Sequence, residues 1–273
     1  MSRGIVWNFT VEAMVHPITA VSATASSSFG VSVPGKTIDG SGMVGDLHGV
    51  SAKDMWISAS IPATIEYAFD QANMLQDLWI WNSNQLIESF VGFGAKDVVI
   101  EHSLDGENWT VLEGVGPLVR APGTEGYGHN NIIDFGGVLA QQVRVTINSV
   151  QGIAPQASLS EVRFHATPIY ARNPHPAVGS NTDSTEVVLN WVPGRVAASH
   201  DVLFSENLAA IEDGSALMAN TTDPWLDLSE LVLAPSTTYY WQVNEVNDLA
   251  DPPVYQGAVW HFTTPERTSA QEE

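Results

Sequence analysis

The sequence predicts an all-β protein built as two successive sandwiches. Short runs of alternating apolar and polar residues follow one another, separated by glycine, proline or asparagine. No stretch longer than about ten residues keeps the 3.6-residue period of an amphipathic helix. The 22 glycines and 15 prolines suit a chain with many turns. The length of 273 residues fits two domains, at about 150 residues each.

The strands of the larger sandwich are clearest from residue 61 onward. In TIEYAFD, Ile65, Tyr67 and Phe69 share one face because a strand has a period of two. DVVIEHSLDGENWTVL holds two β runs around an Asp-Gly pair, which predicts a hairpin because glycine accepts the positive φ of a tight turn. NIIDFGG, QQVRVTINSV and LSEVRFHAT continue the series. We predict an antiparallel sandwich or jelly roll here.

The larger domain is predicted to cover residues 1–167, because the composition changes there. TPIYARNPHPAVGSNTDS contains three prolines and several small polar residues, which is typical of a domain junction. Beyond it, TEVVLNWVPG, SHDVLFSEN, TTYYWQVNEVND and AVWHFTTPE are short strands at close spacing, so residues 168–265 are predicted to form a smaller β-sandwich. Residues 266–273 are expected to be a polar, frayed tail.

The charge balance narrows the possible partners. The chain carries 31 acidic and 10 basic residues, for a formal net charge of −21. Such a surface repels phosphate backbones and anionic lipid, so we predict no nucleic-acid partner. No run approaches the roughly 18 apolar residues of a membrane span, and the opening MSRGIVWNFT lacks a signal-peptide pattern. The absence of cysteine excludes disulfides, zinc–thiolate sites and thiol catalysis.

Aromatic rings and amides occur together in DLWIWNSNQ, residues 77–85. Neutral sugars offer apolar C–H faces and a rim of hydroxyls, which suit an aromatic ring and uncharged groups that both donate and accept hydrogen bonds. Trp81 shares strand parity with Trp79, so both rings could face the core; alternatively, Trp81 is a stacking platform. The ligand-binding residues predicted here are Trp81, Asn82, Asn84 and Gln85.

A second set with the same chemistry occurs in GYGHNN, where Tyr127, His129 and Asn130 stand in a glycine-rich stretch. We predict that these residues join the ligand site. Amides in loops commonly form turns instead, so the prediction depends on the clustering of the two sets. In the second half, Trp225 follows Pro224 and could be exposed or covered by a loop.

The order of the segments in the first half resembles that of a discoidin domain (factor V/VIII type C, galactose-binding-like) in its bacterial carbohydrate-binding form. VSATASSSFG is similar to the opening strand of this family, TIDGSG to its Asp-Gly loop, DMWIS to its Trp-x-Ser segment and KDVVIEHSLDGENWTVL to its hairpin. QQVRVTINS and LSEVRFHA are similar to the two closing strands, so the resemblance covers roughly residues 17–166. The second half resembles a fibronectin type III domain through VVLNWVPG and LAPSTTYYWQV.

The resemblance implies a discoidin-like jelly roll followed by a fibronectin type III-like spacer, in an exported or surface bacterial protein. It implies a non-catalytic module that binds a carbohydrate outside the cell or at the cell surface. The alternative is a structural or adhesion module that binds another protein, which a continuous apolar patch would support. No HExxH, GxSxG, P-loop or GxGxxG motif occurs, and His102 and His165 are interpreted as ordinary strand residues.

The same resemblance implies one structural calcium ion. The implied side-chain ligands are Asp39 in TIDG, Asp54 in DMW and Glu161 in SEVRF, with loop carbonyls completing the roughly six to eight oxygen ligands of calcium. The family more often has threonine where Asp54 stands. The other interpretation is a hairpin aspartate and a surface glutamate without a metal.

Overall fold

The computed structural model describes residues 13–266, and the chain divides into two compact units between Thr167 and Pro168. The expectations for MSRGIVWNFT and for the tail beyond Glu266 lie outside the described residues. Within the described range, no helix is long and apolar enough to cross a membrane. The elements are nearly all strands, which confirms the all-β prediction.

The described part of the first unit contains ten strands. Their bounds are β1 His16–Ile18, β2 Ser22–Ala25, β3 Met43–Val44, β4 Leu47–His48, β5 Trp56–Ile57, β6 Ala63–Asn82, β7 Val98–Ser103, β8 Thr110–Val111, β9 Asn131–Ile147 and β10 Ser158–Thr167. The loops carry 3-10 turns at Pro34–Thr37 and Ala52–Asp54 and the short helix α1 at Glu88–Val91.

Two long strands give the sheet of the first unit its curl. β6 pairs antiparallel with β9 along most of its length, and irregularities after Ala68 and Leu75 interrupt the register. On its other edge, β6 pairs with β2 near its start and with β10 near its end. The strand order is β1-β10-β6-β9-β7-β8, with β5 added to β10. Because β6 changes partners along its length, the sheet curls around a core as in a jelly roll.

The main core lies on the inner face of this sheet. The predicted face of TIEYAFD is confirmed, because Ile65, Tyr67 and Phe69 are buried. Farther along β6, Leu78 and Ile80 belong to the same core. One face of β6 therefore supplies apolar side chains from its beginning to its end.

The Asp-Gly hairpin predicted between β7 and β8 is present. Gly106 has a φ of 76°, a backbone conformation that favours glycine. Asp105 Oδ1 accepts hydrogen bonds from the backbone N–H groups of Asn108 and Glu107. These bonds, above all those from Asn108, hold the pKa of the Asp105 carboxyl well below its usual range.

The described part of the second unit contains nine strands and one short helix. Their bounds are β11 Arg172–His175, β12 Ser180–Asn181, β13 Val188–Val192, β14 Ser199–Ser205, α2 Leu208–Glu212, β15 Leu217–Thr221, β16 Trp225–Asp227, β17 Thr238–Val246, β18 Val254–Tyr255 and β19 Val259–Thr263. One sheet has the order β11-β13-β16, and the other has the order β12-β19-β17-β14-β15 with β18 beside β17. The sheets share one core, where Leu189 and Trp191 join Trp241 and Phe262.

Candidate functional site

Both faces of β6 are apolar near its end. Leu78 and Ile80 face the main core, so Trp79 and Trp81 lie on the outer face, because alternate strand residues point to opposite sides. There the two indoles form a second, smaller cluster with residues of the loop between β8 and β9, among them Tyr127. The tryptophans thus mark a second apolar centre, outside the main core and under the loops.

The pairing of β6 with β10 places polar side chains beside these rings. Trp79 lies opposite Arg163, and Asp77 lies opposite His165. His165 Nδ1 is 2.8 Å from Asp77 Oδ1, and the Arg163 guanidinium forms an ion pair with Asp46. Sequence analysis did not identify this group, because its members come from three separate segments and carry no shared motif. His165 lies on β10, as predicted, and packs on Trp79 with ring centroids 4.3 Å apart.

His129 covers the indole of Trp79. The two rings are stacked, with centroids 4.1 Å apart and an angle of 16° between their planes. Burial lowers the pKa of His129 from its usual value, so at neutral pH the ring is uncharged, with one nitrogen as donor and the other as acceptor. A ligand at this surface would therefore meet an imidazole backed by a tryptophan.

The structure corrects the prediction that Trp81 is a stacking platform. Its side chain has no exposed surface, and its Nε1–H donates to the backbone oxygen of Asp46 at 3.0 Å. The Cζ atom of Arg163 lies 4.8 Å from the centroid of the ring. Trp81 is a packing residue of the outer cluster. Of the two alternatives, the structure therefore supports a buried ring and not a stacking platform.

Asn84 requires the same correction, because its side chain is completely buried. Its Nδ2 donates to the backbone oxygens of Gly49 and Thr124, at 3.0 and 2.7 Å, and its Oδ1 accepts the N–H of Gly123 at 2.8 Å. These bonds join two loops that are distant in sequence. The amide satisfies buried backbone groups that have no partner in a sheet.

Asn82 and Gln85 are also buried and unavailable to a ligand. The Nδ2 of Asn82 donates to the backbone oxygens of Ala95 and Val119, at 2.8 and 2.9 Å. Gln85 Nε2 donates to the hydroxyl of Ser83 at 3.3 Å. At the end of β6, Asn82 and Asn84 therefore hold loops together, and Gln85 makes a local bond, which are structural roles that such amides commonly have.

The GYGHNN segment is split between the interior and the surface. Tyr127 is buried, and its hydroxyl donates to Oδ1 of Asn130 and accepts the N–H of Asn82. Burial raises the pKa of Tyr127 above its usual value, so the phenol stays protonated. Asn130 is exposed and donates to the backbone oxygen of Arg120 at 3.1 Å. His129 and Asn130 are thus the two predicted ligand residues that reach solvent.

We call the solvent-facing side of the outer cluster the His129 rim, defined by Asp46, Trp79, His129, Asn130 and Arg163. The side chain of Asp46 is 69% exposed and that of Arg163 is 29% exposed. The rim offers a carboxylate, a guanidinium, an amide and a neutral imidazole over a supporting indole. Such a set can donate to and accept from several hydroxyl groups at once.

Of the residues predicted to bind calcium, Glu161 lies on β10, whereas Asp39 and Asp54 lie in the loops between β2 and β5. In the described part of the chain, no three His, Cys, Asp or Glu side chains lie together as a metal site. Glu161 is nearly fully buried, which raises its pKa, and the charge of nearby Asp39 adds to this effect. Asp54 ends a 3-10 turn and lies close to the backbone of Gly42. A Cβ added to Gly42 would be 2.9 Å from the Cβ of Asp54. A cation here would need backbone oxygens to supplement the carboxylates.

Glu161 is the carboxylate that best fits a cation. Burial raises its pKa to about 8, although Arg163 and the Gly40 N–H favour the charged form. Its Oε2 is buried and accepts no hydrogen bond. A buried oxygen without a donor is a suitable ligand for a hard cation, which would also favour the ionised form.

Comparison with known proteins identified neighbours only among solved structures. No protein-family model matches the chain, and no curated protein matches it. One neighbour is a family 32 carbohydrate-binding module (CBM32-3) of a family 31 glycoside hydrolase from Clostridium perfringens, with 24% identity and a TM-score of 0.41. The match covers 56% of this chain and 91% of that chain.

Two further neighbours are of the same type. The family 32 module of C. perfringens NanJ, solved with galactose, has 16% identity and a TM-score of 0.39 over 54% of this chain and 98% of that one. The family 32 module of AlyQ, solved with 4,5-unsaturated mannuronic acid, has 17% identity and a TM-score of 0.40 over 55% and 97%. All three of these neighbours are carbohydrate-binding modules. At this level of similarity, we base the function on the residues of the chain itself.

Proposed function

We propose that the first unit is a non-catalytic carbohydrate-binding module whose ligand contacts the His129 rim. The observation that carries the proposal is the stack of His129 on Trp79, bordered by the exposed amide of Asn130 and by the Arg163–Asp46 ion pair. This arrangement combines a rigid ring surface with donors and acceptors for sugar hydroxyls. Because these contacts are few and reach solvent, we expect weak binding, on the order of micromolar to millimolar.

A glycan array, followed by calorimetric titration of any hit, tests this proposal. We expect His129→Ala and Asn130→Ala each to weaken binding by about fivefold or more, which corresponds to about 1 kcal/mol. Gln71→Ala is the matched control, because Gln71 is an exposed amide of the same unit outside the rim. Unchanged affinity in both rim variants, with circular dichroism like that of the parent protein, would refute the assignment of the site.

The absence of catalysis is part of the proposal and is supported by the partners of the nearby carboxylates. Asp46 forms an ion pair with Arg163, and Asp77 faces His165. A glycosidase needs one carboxyl group held protonated by an apolar pocket and a second one across an open cleft. Asp46 and Asp77, the carboxylates at this surface, lie beside an arginine and a histidine instead. Glu161, whose pKa burial raises, is nearly fully buried and does not line an open cleft.

A structural calcium ion belongs to the same proposal. Glu161, with its buried Oε2, and the adjacent Asp39 would be the side-chain ligands, and the loop through Gly40 and Gly42 would add backbone oxygens. Both glycines have positive φ, 72° and 74°, which lets a loop turn its carbonyls in ways that other residues avoid. Asp54, in the loop that carries the Ala52–Asp54 turn, is a further candidate ligand for the same ion.

We further propose that the second unit is a fibronectin type III-like spacer in an exported or surface bacterial protein. Its two sheets over one core support a sandwich of this kind. A polysaccharide ligand would be met outside the cell, so an extracellular or cell-surface location follows from the proposed ligand. Fractionation of the native host, with detection of the chain in the medium or on the surface, tests this location.

Exposed apolar loops favour protein adhesion as the second candidate function. Phe90 is 83% exposed and Ile153 is 87% exposed, and the N–H of Ile153 donates to Val91, next to Phe90, at 2.8 Å. Leu86 adds a third exposed side chain from the same loop as Phe90. Exposed apolar patches commonly mark protein-interaction sites. If the array shows no glycan hit and Phe90→Ser removes cross-linking to one defined surface protein, this function replaces the first.

A further inference from the structure

The second unit presents an indole to solvent. Trp225, the first residue of β16, is 48% exposed. Among the tryptophans in the part of the chain that the structure describes, it alone is exposed; the others are buried or half-buried. A half-exposed indole on a regular strand presents a flat apolar surface with an N–H at its edge, which suits the stacking of a ligand ring.

Trp225 stands at one end of a row that crosses the whole three-stranded sheet. Asn190 of β13 lies directly opposite Trp225, and His175 of β11 lies directly opposite Asn190. All three residues are exposed, whereas the alternate residues Leu189 and Leu226 lie on or against the core. Strands in a sheet are about 4.8 Å apart, so the row is about 10 Å wide.

The row continues into a hollow beside β11. This hollow has a volume of about 390 Å³ and includes His175 and Val188 in its lining. Val188 has the same strand parity as Asn190 and is 42% exposed, so the hollow and the row share one surface. The rest of the lining mixes apolar side chains with hydroxyl, amide and carboxylate groups. The apolar members are Pro176, Ala177 and Val187, and the polar ones are Ser180, Asn181, Thr182, Asp183, Ser184 and Glu186.

The chemistry of this face selects the class of ligand. It offers one aromatic ring, one amide and one imidazole in a line, and beyond them a hollow in which apolar side chains alternate with hydroxyls and acids. Residues 168–273 contain 15 acidic and 3 basic residues, a net charge of −12, and Asp227 lies on the same face, opposite Val188. Anionic polymers would be repelled. A neutral chain with apolar faces and many hydroxyls fits both observations.

We propose that the face formed by Trp225, Asn190 and His175 is a second carbohydrate site, which binds a neutral polysaccharide chain along the row. The indole stacks on one sugar ring, and the amide and imidazole bond to hydroxyls of the next. The second unit is then a binding module as well as a spacer. This site is separate from the His129 rim, so either can fail without the other.

Affinity electrophoresis in gels containing galactan, galactomannan or mixed-linkage β-glucan, with pull-down on cellulose and chitin, tests the proposal. The full chain is used with His129→Ala in every sample to weaken the rim of the first unit. We expect Trp225→Ala to weaken the remaining binding by about tenfold and Trp225→Tyr to restore most of it, because a second aromatic ring keeps the stacking surface. Val232→Ala is the control, since Val232 is fully exposed in a loop of the same unit.

Three results would overturn the proposal. The first is that the His129→Ala chain binds none of these polysaccharides. The second is that Trp225→Ala binds them as well as the Val232→Ala control does. The third is that Trp225→Ala changes the sedimentation of the chain without changing polysaccharide binding, which would make the face a contact between copies.

Discussion

At the residue scale, the hydrogen bonds of buried amides hold the loops of the first unit in position. Replacing Asn84 with alanine leaves two backbone oxygens and one N–H without their partners. Each buried polar group left unsatisfied costs about 1–3 kcal/mol, so we expect the free energy of unfolding of the first unit to fall by about 2 kcal/mol or more. Urea unfolding followed by hydrogen-exchange mass spectrometry measures the free energy of unfolding of the first unit alone. Gln71→Ala, at an exposed position, should change it little; equal values for both variants would contradict the role of the amide.

The buried carboxyl group of Glu161 should make the stability of the first unit depend on pH. Its pKa in the folded chain is about 8, raised from 4.5 by burial. A raised pKa means that the folded state holds a proton that the unfolded state releases above pH 4.5, so the stabilisation is complete below pH 4.5 and is lost as pH rises toward 8. The expected slope is at most about 1.4 kcal/mol per pH unit.

The measurement is the free energy of unfolding of the first unit between pH 5 and pH 8 in a chelator. Glu161→Gln should flatten the curve, while Glu125→Gln, at an exposed position, should not. Added calcium should flatten it in the parent protein, because a bound cation favours the carboxylate and removes the advantage of the proton. A parent curve that calcium leaves unchanged would argue against the proposed ion.

At the element scale, β6 shows why its fold could be predicted and its site could not. Where it begins, apolar residues such as Ile65 and Tyr67 alternate with polar ones, so the period of two identified the core face. Where it ends, the two faces of the strand are both apolar: Leu78 lies on one and Trp79 on the other. Periodicity therefore could not show which face meets the main core. The bonding partners of Asn84 lie 35 to 40 residues away along the chain, and no local pattern reveals contacts at that distance.

Two loops beside this strand pack at a glycine. Gly152 lies against the loop that carries α1, and a Cβ at Gly152 would come within 2.2 Å of the backbone oxygen of Val91. Gly152→Ala should therefore force the loops apart and destabilise the first unit by about 1–3 kcal/mol. Gly116→Ala is the matched change, because a Cβ there meets nothing within 4 Å, and it should be neutral or slightly stabilising. Thermal unfolding compares the two; similar midpoints would mean that the loops are free to separate.

At the scale of the whole molecule, the net charge of −21 separates the two candidate functions. Binding of a neutral polysaccharide through stacking and hydrogen bonds involves no ion release, so we expect its affinity to change by less than about twofold between about 0.02 M and 0.5 M salt. A basic protein partner that docks on the exposed apolar loops would be steered by the acidic surface, so its association rate should fall about tenfold or more over the same range. Biolayer interferometry at several salt concentrations measures both quantities. A carbohydrate affinity that fell steeply with salt would mean that ion pairs, rather than the uncharged groups of His129 and Asn130, dominate the contact, and the proposed mode of sugar recognition would have to be abandoned.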